Sequence, residues 1–238
     1  MTTLLFRDDA YLKTTAATVV ARSDRGFELD RTIFYPLGGG QPGDTGVLVR
    51  ANGERIAIAD TRKGNSMDTV VHIPASGVSS PPLELGEAVT LEIDWERRYA
   101  LMRLHTALHV MSCVVVAPVT GGNISPDKGR LDFDIDMSLL DAAKIEQETN
   151  AIIQRSLATE TVWITDEELD RRPDLVKTMS VQPPRGAGRV RLLKIPGVDL
   201  QPCGGTHVGN IGEIGAIRVL KIKNEGKHNK RVEIALVD

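Results

Sequence analysis

The alternation of hydrophobic and polar residues divides the chain into two parts. In the first part, short β-rich runs separated by turn residues predict strands over residues 16–21, 27–34, 46–50, 55–59, 68–73 and 88–93. Asn52-Gly53 joins the third and fourth runs, and this dipeptide is typical of a β-hairpin. A Ser- and Pro-rich stretch at residues 75–82 predicts a loop. Because no helical period occurs here, we predict a small β-barrel or sandwich.

The periodicity becomes helical after Asp94. A stripe of apolar residues from Leu101 to Val115 predicts a helix over residues 95–117. A second helix is predicted over residues 138–157, and Thr165-x-x-Glu168 is a capping box that opens a short third helix. Further strands are predicted over residues 130–135, 190–195, 214–223 and 231–236.

The predicted fold class is therefore α+β. We expect an N-terminal small β-barrel domain over residues 1–92. An α+β domain over residues 93–238 would follow it, with helices packed on a mainly antiparallel sheet.

Two His/Cys pairs suggest a metal site. HTALH contains His105 and His109, and CGGTH contains Cys203 and His207. Residues four apart on a helix lie on one face, so the first pair can hold one ion from one side. Imidazole and thiolate are preferred donors for zinc, and the second pair would complete a tetrahedral shell. Cys113 lies too far along the same helix to share the ion with both histidines, and we interpret it as a buried small hydrophobic residue.

Composition and charge narrow the function classes. The 238 residues are 41% hydrophobic and 26% charged, as in ordinary globular proteins. The net charge is −3, but residues 171–231 carry thirteen Lys and Arg against four acids, which gives +9 there and −12 elsewhere. This asymmetry is compatible with a nucleic-acid partner or with a solvated face.

Secretion and membrane insertion are not indicated. The N-terminal residues lack a positively charged lead before an apolar core, and two cysteines do not make a disulfide framework. The longest apolar run, residues 114–119, is too short to span a bilayer. We expect a cytoplasmic protein with no membrane partner and no obligate protein partner.

Two familiar catalytic motifs are excluded. HTALH carries Thr106 where a zinc protease would carry its glutamate base, which argues against a peptidase. The glycine-rich segment at residues 38–43 could bind a phosphate through its backbone amides, but it lacks the Gly-Lys-Ser/Thr ending of a nucleotide P-loop. A tight turn between strands is the alternative interpretation.

Together, three segments resemble a known family. FYPLGGGQPGDTG at 34–46, HTALH at 105–109 and QPCGGTHVGNIGEIG at 201–215 are similar to the editing domain of alanyl-tRNA synthetase. No aminoacylation domain precedes them in this sequence, so we expect the chain to resemble the free-standing alanyl-tRNA editing proteins, the AlaX family. The likeness runs over nearly the whole chain.

The resemblance implies a zinc-dependent, ATP-independent aminoacyl-tRNA deacylase. Its substrate would be alanine-specific tRNA mischarged with serine or glycine, and zinc would be held by His105, His109, Cys203 and His207. Gln41 matches a glutamine near the family's active site, and Thr32 matches the hydroxyl residue that contacts the serine side chain.

Binding of the tRNA would involve two groups of residues. The glycine-rich segment, including Gly38, Gly39 and Gly40, would read the acceptor stem by the same resemblance. The candidates for phosphate contacts are the late basic residues Arg185, Arg189, Arg218, Lys221, Lys223, Lys227, Lys230 and Arg231. Several of these could equally be solubilising surface charges.

Two other functions remain open. In one, a closed zinc shell only stabilises the fold, and the basic surface binds RNA without cleaving it. In the other, the protein is a zinc hydrolase for a different small ester or amide.

Overall fold

The computed structural model describes residues 2–66, 68–76, 82–177 and 188–237. The chain divides into two compact units, Met1–Tyr99 and Ala100–Asp238. The division falls inside helix Trp95–Val114. The predicted domain boundary between residues 92 and 93 stays a prediction.

The first unit consists of β-strands. They are β1 (Thr3–Leu4), β2 (Thr14–Ser23), β3 (Gly26–Leu29), β4 (Arg31–Thr32), β5 (Gly46–Arg50), β6 (Arg55–Lys63), β7 (Val70–Pro74) and β8 (Ala88–Ile93). Six of them close a barrel in the order β2-β3-β7-β6-β5-β8, so the barrel is confirmed over the sandwich. In the predicted loop at residues 75–82, residues 77–81 lie outside the described part of the chain.

The barrel core follows from period-two burial. In β8, Val89, Leu91 and Ile93 are buried, and the residues between them are half-buried or exposed. The continuous strand predicted over residues 27–34 is wrong, because the chain leaves the barrel after β3 and forms β4, which pairs with β1 in parallel.

The second unit alternates helices and strands. After α1 (Trp95–Val114) follow β9 (Val119–Ile124), β10 (Gly129–Phe133), α2 (Ala142–Ile153), β11 (Glu160–Thr165), α3 (Asp166–Asp170), β12 (Arg189–Ile195), β13 (Asp199–Pro202), β14 (Ala216–Asn224) and β15 (Lys230–Val237). Short 3-10 helices occupy Met137–Leu139, Pro173–Leu175 and Ile211–Ile214 in this unit, and Leu5–Arg7 in the first. Among the helices that the structure describes, none is long and apolar enough to cross a membrane.

The strands of the second unit form two antiparallel sheets instead of the single predicted sheet. One has the order β14-β15-β10-β9 and the other β11-β12-β13. The α+β class is confirmed. The predicted capping box is also present, since Thr165 and Glu168 exchange hydrogen bonds at the start of α3.

Helix α2 packs beside the outer strand β14. The side-chain amide of Asn150 donates to the carbonyl of Ile217 and accepts from its N–H, at 2.8 Å each. Glu146 accepts a hydrogen bond from the N–H of Val219 at 2.7 Å. The helix begins at Ala142, because Asp141 caps it by accepting from the Lys144 N–H.

Candidate metal centre

Helix α1 positions the first pair of candidate ligands. His105 and His109 lie one helical turn apart, with ring centroids 5.2 Å from each other. The apolar residues around them are buried, including Leu104 and Leu108, so the helix is fixed in its surroundings. His109 is buried and His105 is half-buried.

The loop that follows β13 supplies the second pair. Cys203 Sγ lies 3.5 Å from Nε2 of His105 and 3.2 Å from Nε2 of His207. One donor atom from each of the four residues lies within 4.8 Å of the others. Tetrahedral zinc with bonds of about 2.0–2.3 Å separates its donors by roughly 3.3–3.8 Å. The donor set therefore fits a metal ion of this kind.

A hydrogen bond to Asp199 orients the buried ring of His109. His109 Nδ1 donates to Asp199 at 3.1 Å, which leaves Nε2 available to an ion. Asp199 also accepts from Lys177 at 2.7 Å and from Gln201 at 2.6 Å. This carboxylate is the outer partner that metal-binding histidines usually have.

Thr106 joins the two motifs. Its hydroxyl donates to the carbonyl of Met102 at 2.8 Å and accepts from the N–H of Val208 at 3.2 Å. His207 Nδ1 lies 3.4 Å from the same oxygen. Thr106, which stands where a zinc protease would carry its glutamate, therefore connects α1 to the end of the CGGTH loop.

The charges of the four residues depend on one another. Burial would raise the pKa of the Cys203 thiol, but the charges of His105, His207 and His109 hold this pKa well below its usual value. Burial would lower the pKa of His109, but the thiolate and Asp199 raise it to about 9. Burial, opposed by the thiolate and assisted by His105, lowers the pKa of His207 to about 3. The site therefore favours the thiolate form, which is the form that binds metals.

Arg191 was not identified from the sequence, although it holds the CGGTH loop. Its guanidinium donates to the carbonyls of Cys203 at 3.0 Å and Gly205 at 2.9 Å, and to the hydroxyl of Thr161 at 3.1 Å. Only the pairing of β12 with β13 brings Arg191 to this loop, so no local motif could have revealed it.

The interpretation of Cys113 as a buried hydrophobic residue is wrong. Its side chain is half-buried, and Sγ lies 3.4 Å from the carbonyl oxygen of His109. Lys177 Nζ lies 3.5 Å from the same sulfur. Its position one turn beyond His109 exposes Cys113 to polar neighbours.

Thr32 and Gln41 both belong to the first unit. Thr32 is fully buried, and its hydroxyl lies 2.8 Å from Nε2 of His72 and accepts from the Phe34 N–H at 3.0 Å. His72 Nδ1 lies 3.2 Å from the carbonyl of Phe27, so Nδ1 is the donor nitrogen and Thr32 donates to Nε2. Gln41 is also buried.

The glycine-rich segment contains a tight turn. Gly38 and Gln41 exchange two backbone hydrogen bonds, at 3.0 and 3.1 Å. The two residues between them, Gly39 and Gly40, have φ of 58° and 83°. Positive φ at both central positions is typical of a type I′ turn and explains the glycines.

Asp44 and Arg98 form a buried ion pair in the first unit. Both side chains are almost fully buried, and Arg98 Nε lies 3.1 Å from each carboxylate oxygen of Asp44. Arg98 also donates to the carbonyls of Ala10 and Ile33. Asp44 accepts from the N–H of Tyr35 at 2.5 Å. Asp44 is therefore more than a turn residue, and Arg98 escaped the sequence analysis.

The candidate tRNA contacts differ in their surroundings. Lys230 is buried and donates to the carbonyls of Gly226 and Lys227, and Arg231 pairs with Asp132. Lys221 pairs with Glu233 at 3.2 Å. Lys221 is nevertheless exposed, as are Arg189, Arg218, Lys223 and Lys227, and Arg185 lies outside the described residues.

Comparisons with known proteins define the class. Residues 190–233 match the family described as Threonyl and Alanyl tRNA synthetase second additional domain. Residues 7–97 match tRNA synthetases class II (A). Two separate segments of the chain are therefore similar to parts of tRNA synthetases.

Full-length relatives identify the family. The chain is 37% identical to alanyl-tRNA editing protein AlaX-M of Saccharolobus solfataricus, with 98% of each chain covered. It is 37% identical to AlaX-M of Methanosarcina barkeri, with 100% of each covered. It also matches alanine–tRNA ligase of Saccharolobus islandicus at 33% identity, over 92% of this chain and 25% of the ligase. The chain belongs to the AlaX family of alanyl-tRNA editing proteins.

Proposed function

We propose that the protein is a trans-editing hydrolase. It removes serine or glycine from mischarged alanine-specific tRNA by cleaving the aminoacyl ester, without ATP. The observation that carries this proposal is the convergence of four metal-donor atoms within 4.8 Å, in a chain whose relatives over full length are named alanyl-tRNA editing proteins. We expect it to act in the cytoplasm.

Zinc would be held by His105, His109, Cys203 and His207. When bound, it would supply a positive charge that either lowers the pKa of a water molecule to about 7 or binds the substrate's amino group. Four protein ligands would be the number typical of a closed structural zinc shell, whereas catalytic zinc sites usually have three. Half-exposed His105 and Cys203 are the ligands closest to solvent.

Gln41 and Thr32 would contribute to catalysis and to substrate choice. An editing site must reject correct alanine, and a hydrogen bond to the serine hydroxyl does this. Losing such a partner costs roughly 1–3 kcal/mol, or about 5- to 150-fold in preference. We propose this role for Thr32 and a position close to the reacting ester for Gln41.

The Thr32 role requires a matched pair of variants. Thr32→Val removes the hydroxyl and also takes a donor from His72, whereas Thr32→Ser keeps both. We expect Thr32→Val to lose discrimination or serine hydrolysis, and Thr32→Ser to keep them, with the zinc content of both unchanged. If both variants hydrolysed seryl-tRNA at the wild-type rate and alanyl-tRNA at the wild-type rate, this role would be excluded.

Recognition of the tRNA would use the turn at Gly38, Gly39 and Gly40 and the basic residues of the second unit. The best candidates are the exposed ones, Arg189, Arg218, Lys221, Lys223 and Lys227. Phosphate contacts make affinity fall steeply with salt. A flat salt dependence would remove this part of the proposal.

The decisive experiment uses purified protein and three substrates. Incubation with seryl-, glycyl- and alanyl-tRNA should release serine or glycine and spare alanine, and chelation of zinc or Cys203→Ala should abolish release. Intact mischarged tRNA would contradict the proposal.

The second candidate function is a zinc-stabilised RNA-binding module. A four-ligand site and exposed arginines favour it. Binding of tRNA without turnover would support the module. A hydrolase for another small ester would show neither binding nor turnover of the tRNA.

A further inference from the structure

A row of side chains leads from an exposed tryptophan to the candidate metal centre. Trp163 in β11 pairs with Arg191 in β12. The N–H of Cys203 donates to the carbonyl of Arg191 at 3.0 Å, which extends the β12–β13 pairing by one residue. Paired residues of antiparallel strands project on the same face. Trp163 therefore shares a face with Cys203, two strand spacings or about 10 Å away.

Helix α1 covers the β13 end of this face. Asp199 bonds to His109, and Gln201 bonds to Ser112, so both side chains are buried against the helix. At the β11 end, Trp163 remains 42% exposed. Phe133, the other Phe, Tyr or Trp side chain in the second unit, is fully buried.

Positive charge lies beside the tryptophan. Arg189 pairs with Thr165 and is exposed on the same face. Arg191 lies between Trp163 and Cys203, with its guanidinium fixed by the carbonyls of the CGGTH loop. An aromatic platform flanked by arginines is the combination that binds single-stranded nucleic acid, because bases stack on the ring and phosphates approach the cations.

We infer that Trp163 stacks the base of the 3′-terminal adenosine of the substrate tRNA. The ester to be cleaved is on the ribose of that same nucleotide. The ribose and its aminoacyl group therefore have to span the distance between the stacked base and the metal centre. The separation of about 10 Å between Trp163 and Cys203, with Arg191 between them, is short enough for this. Trp163 positions the substrate, and Arg191 positions the loop that carries Cys203. This inference rests on the proposed function.

The first experiment separates substrate positioning from chemistry. Stacking of one base on an aromatic side chain corresponds to roughly a 5- to 150-fold effect on affinity. Trp163→Ala should raise KM for seryl-tRNA by this factor and leave kcat unchanged, and Trp163→Phe should restore most of the affinity. Leu139→Ala, which removes an exposed apolar side chain elsewhere in the second unit, should behave as wild type.

Zinc content and thermal stability are measured on the same variants. Unchanged values are expected, because the exposed ring contributes little to the core. A Trp163→Ala protein with an unchanged KM, whether or not its stability falls, would assign the ring a packing role and overturn the inference.

The second experiment does not require turnover. In a Trp95→Phe background, Trp163 is the only tryptophan of the chain. The trinucleotide CCA should quench its fluorescence, whereas CC with an abasic third residue should not. Equal responses to both would overturn the inference. Quenching by CCA in a protein that deacylates no tRNA would contradict the proposed function and leave base binding at Trp163 intact.

Discussion

His72 should make the first unit sensitive to mild acid. Its ring is fully buried between the Thr32 hydroxyl and the Phe27 carbonyl. Burial lowers its pKa from 6.5 to about 4, even though the carbonyl opposes the shift. In the unfolded chain the ring is in water and keeps the ordinary value. The folded protein therefore binds fewer protons than the unfolded protein between pH 6.5 and about 4.

The sign and size of the effect follow from this difference. The contribution of His72 to the free energy of unfolding is fully present above pH 6.5. It falls as the pH drops towards 4, because protonation of this ring favours the unfolded chain. The change in the pKa of His72, from 6.5 to about 4, at about 1.4 kcal/mol per unit, corresponds to a loss of about 3 kcal/mol.

The assay is urea unfolding followed by tryptophan fluorescence. Trp95 belongs to the first unit and stacks on Tyr99, so a Trp163→Phe background reports unfolding there. We expect His72→Gln in this background to be less stable at neutral pH and to lose about 3 kcal/mol less between pH 6.5 and 4. Equal pH slopes for both proteins would refute the reasoning.

Three other predictions concern residues around the sites. Asp199→Asn removes the carboxylate partner of His109 and should weaken zinc binding roughly 10- to 100-fold in a competition with a chromogenic chelator; equal affinity would contradict the outer-partner role. Arg98→Met leaves Asp44 buried without its partner and should cost about 3–5 kcal/mol in urea unfolding, and a smaller loss would mean that water reaches the carboxylate. Gly40→Ala forces alanine into positive φ and should cost about 1 kcal/mol, whereas a neutral result would show that the turn adopts another form.

Local signals in the sequence predicted local structure well. The capping box at Thr165 and the strand over residues 88–93 were both predicted correctly, because each depends on residues a few positions apart. The spacing of His105 and His109 likewise predicted one helical face. Whether these histidines bind zinc stays a prediction.

Features that depend on strand pairing escaped the sequence analysis. The pattern along the chain could not show that the strands of the second unit form two sheets, since periodicity does not specify partners. β9 contains Gly121 and Gly122, and β13 has only four residues, so neither strand gave a clear signal. The role of Arg191 and the proposed role of Trp163 depend on how β12 pairs with β11 and β13. Periodicity does not specify this pairing, so the sequence analysis did not identify either residue.

The side-chain amide of Asn150 makes the two hydrogen bonds that a neighbouring strand would make, one to the N–H and one to the carbonyl of Ile217. An outer strand with unsatisfied N–H and C=O groups is a template for pairing with another polypeptide. Helix α2 thus blocks this part of β14 against edge-to-edge aggregation, and a chain shortened by this one helix would be expected to self-associate through the uncovered strand.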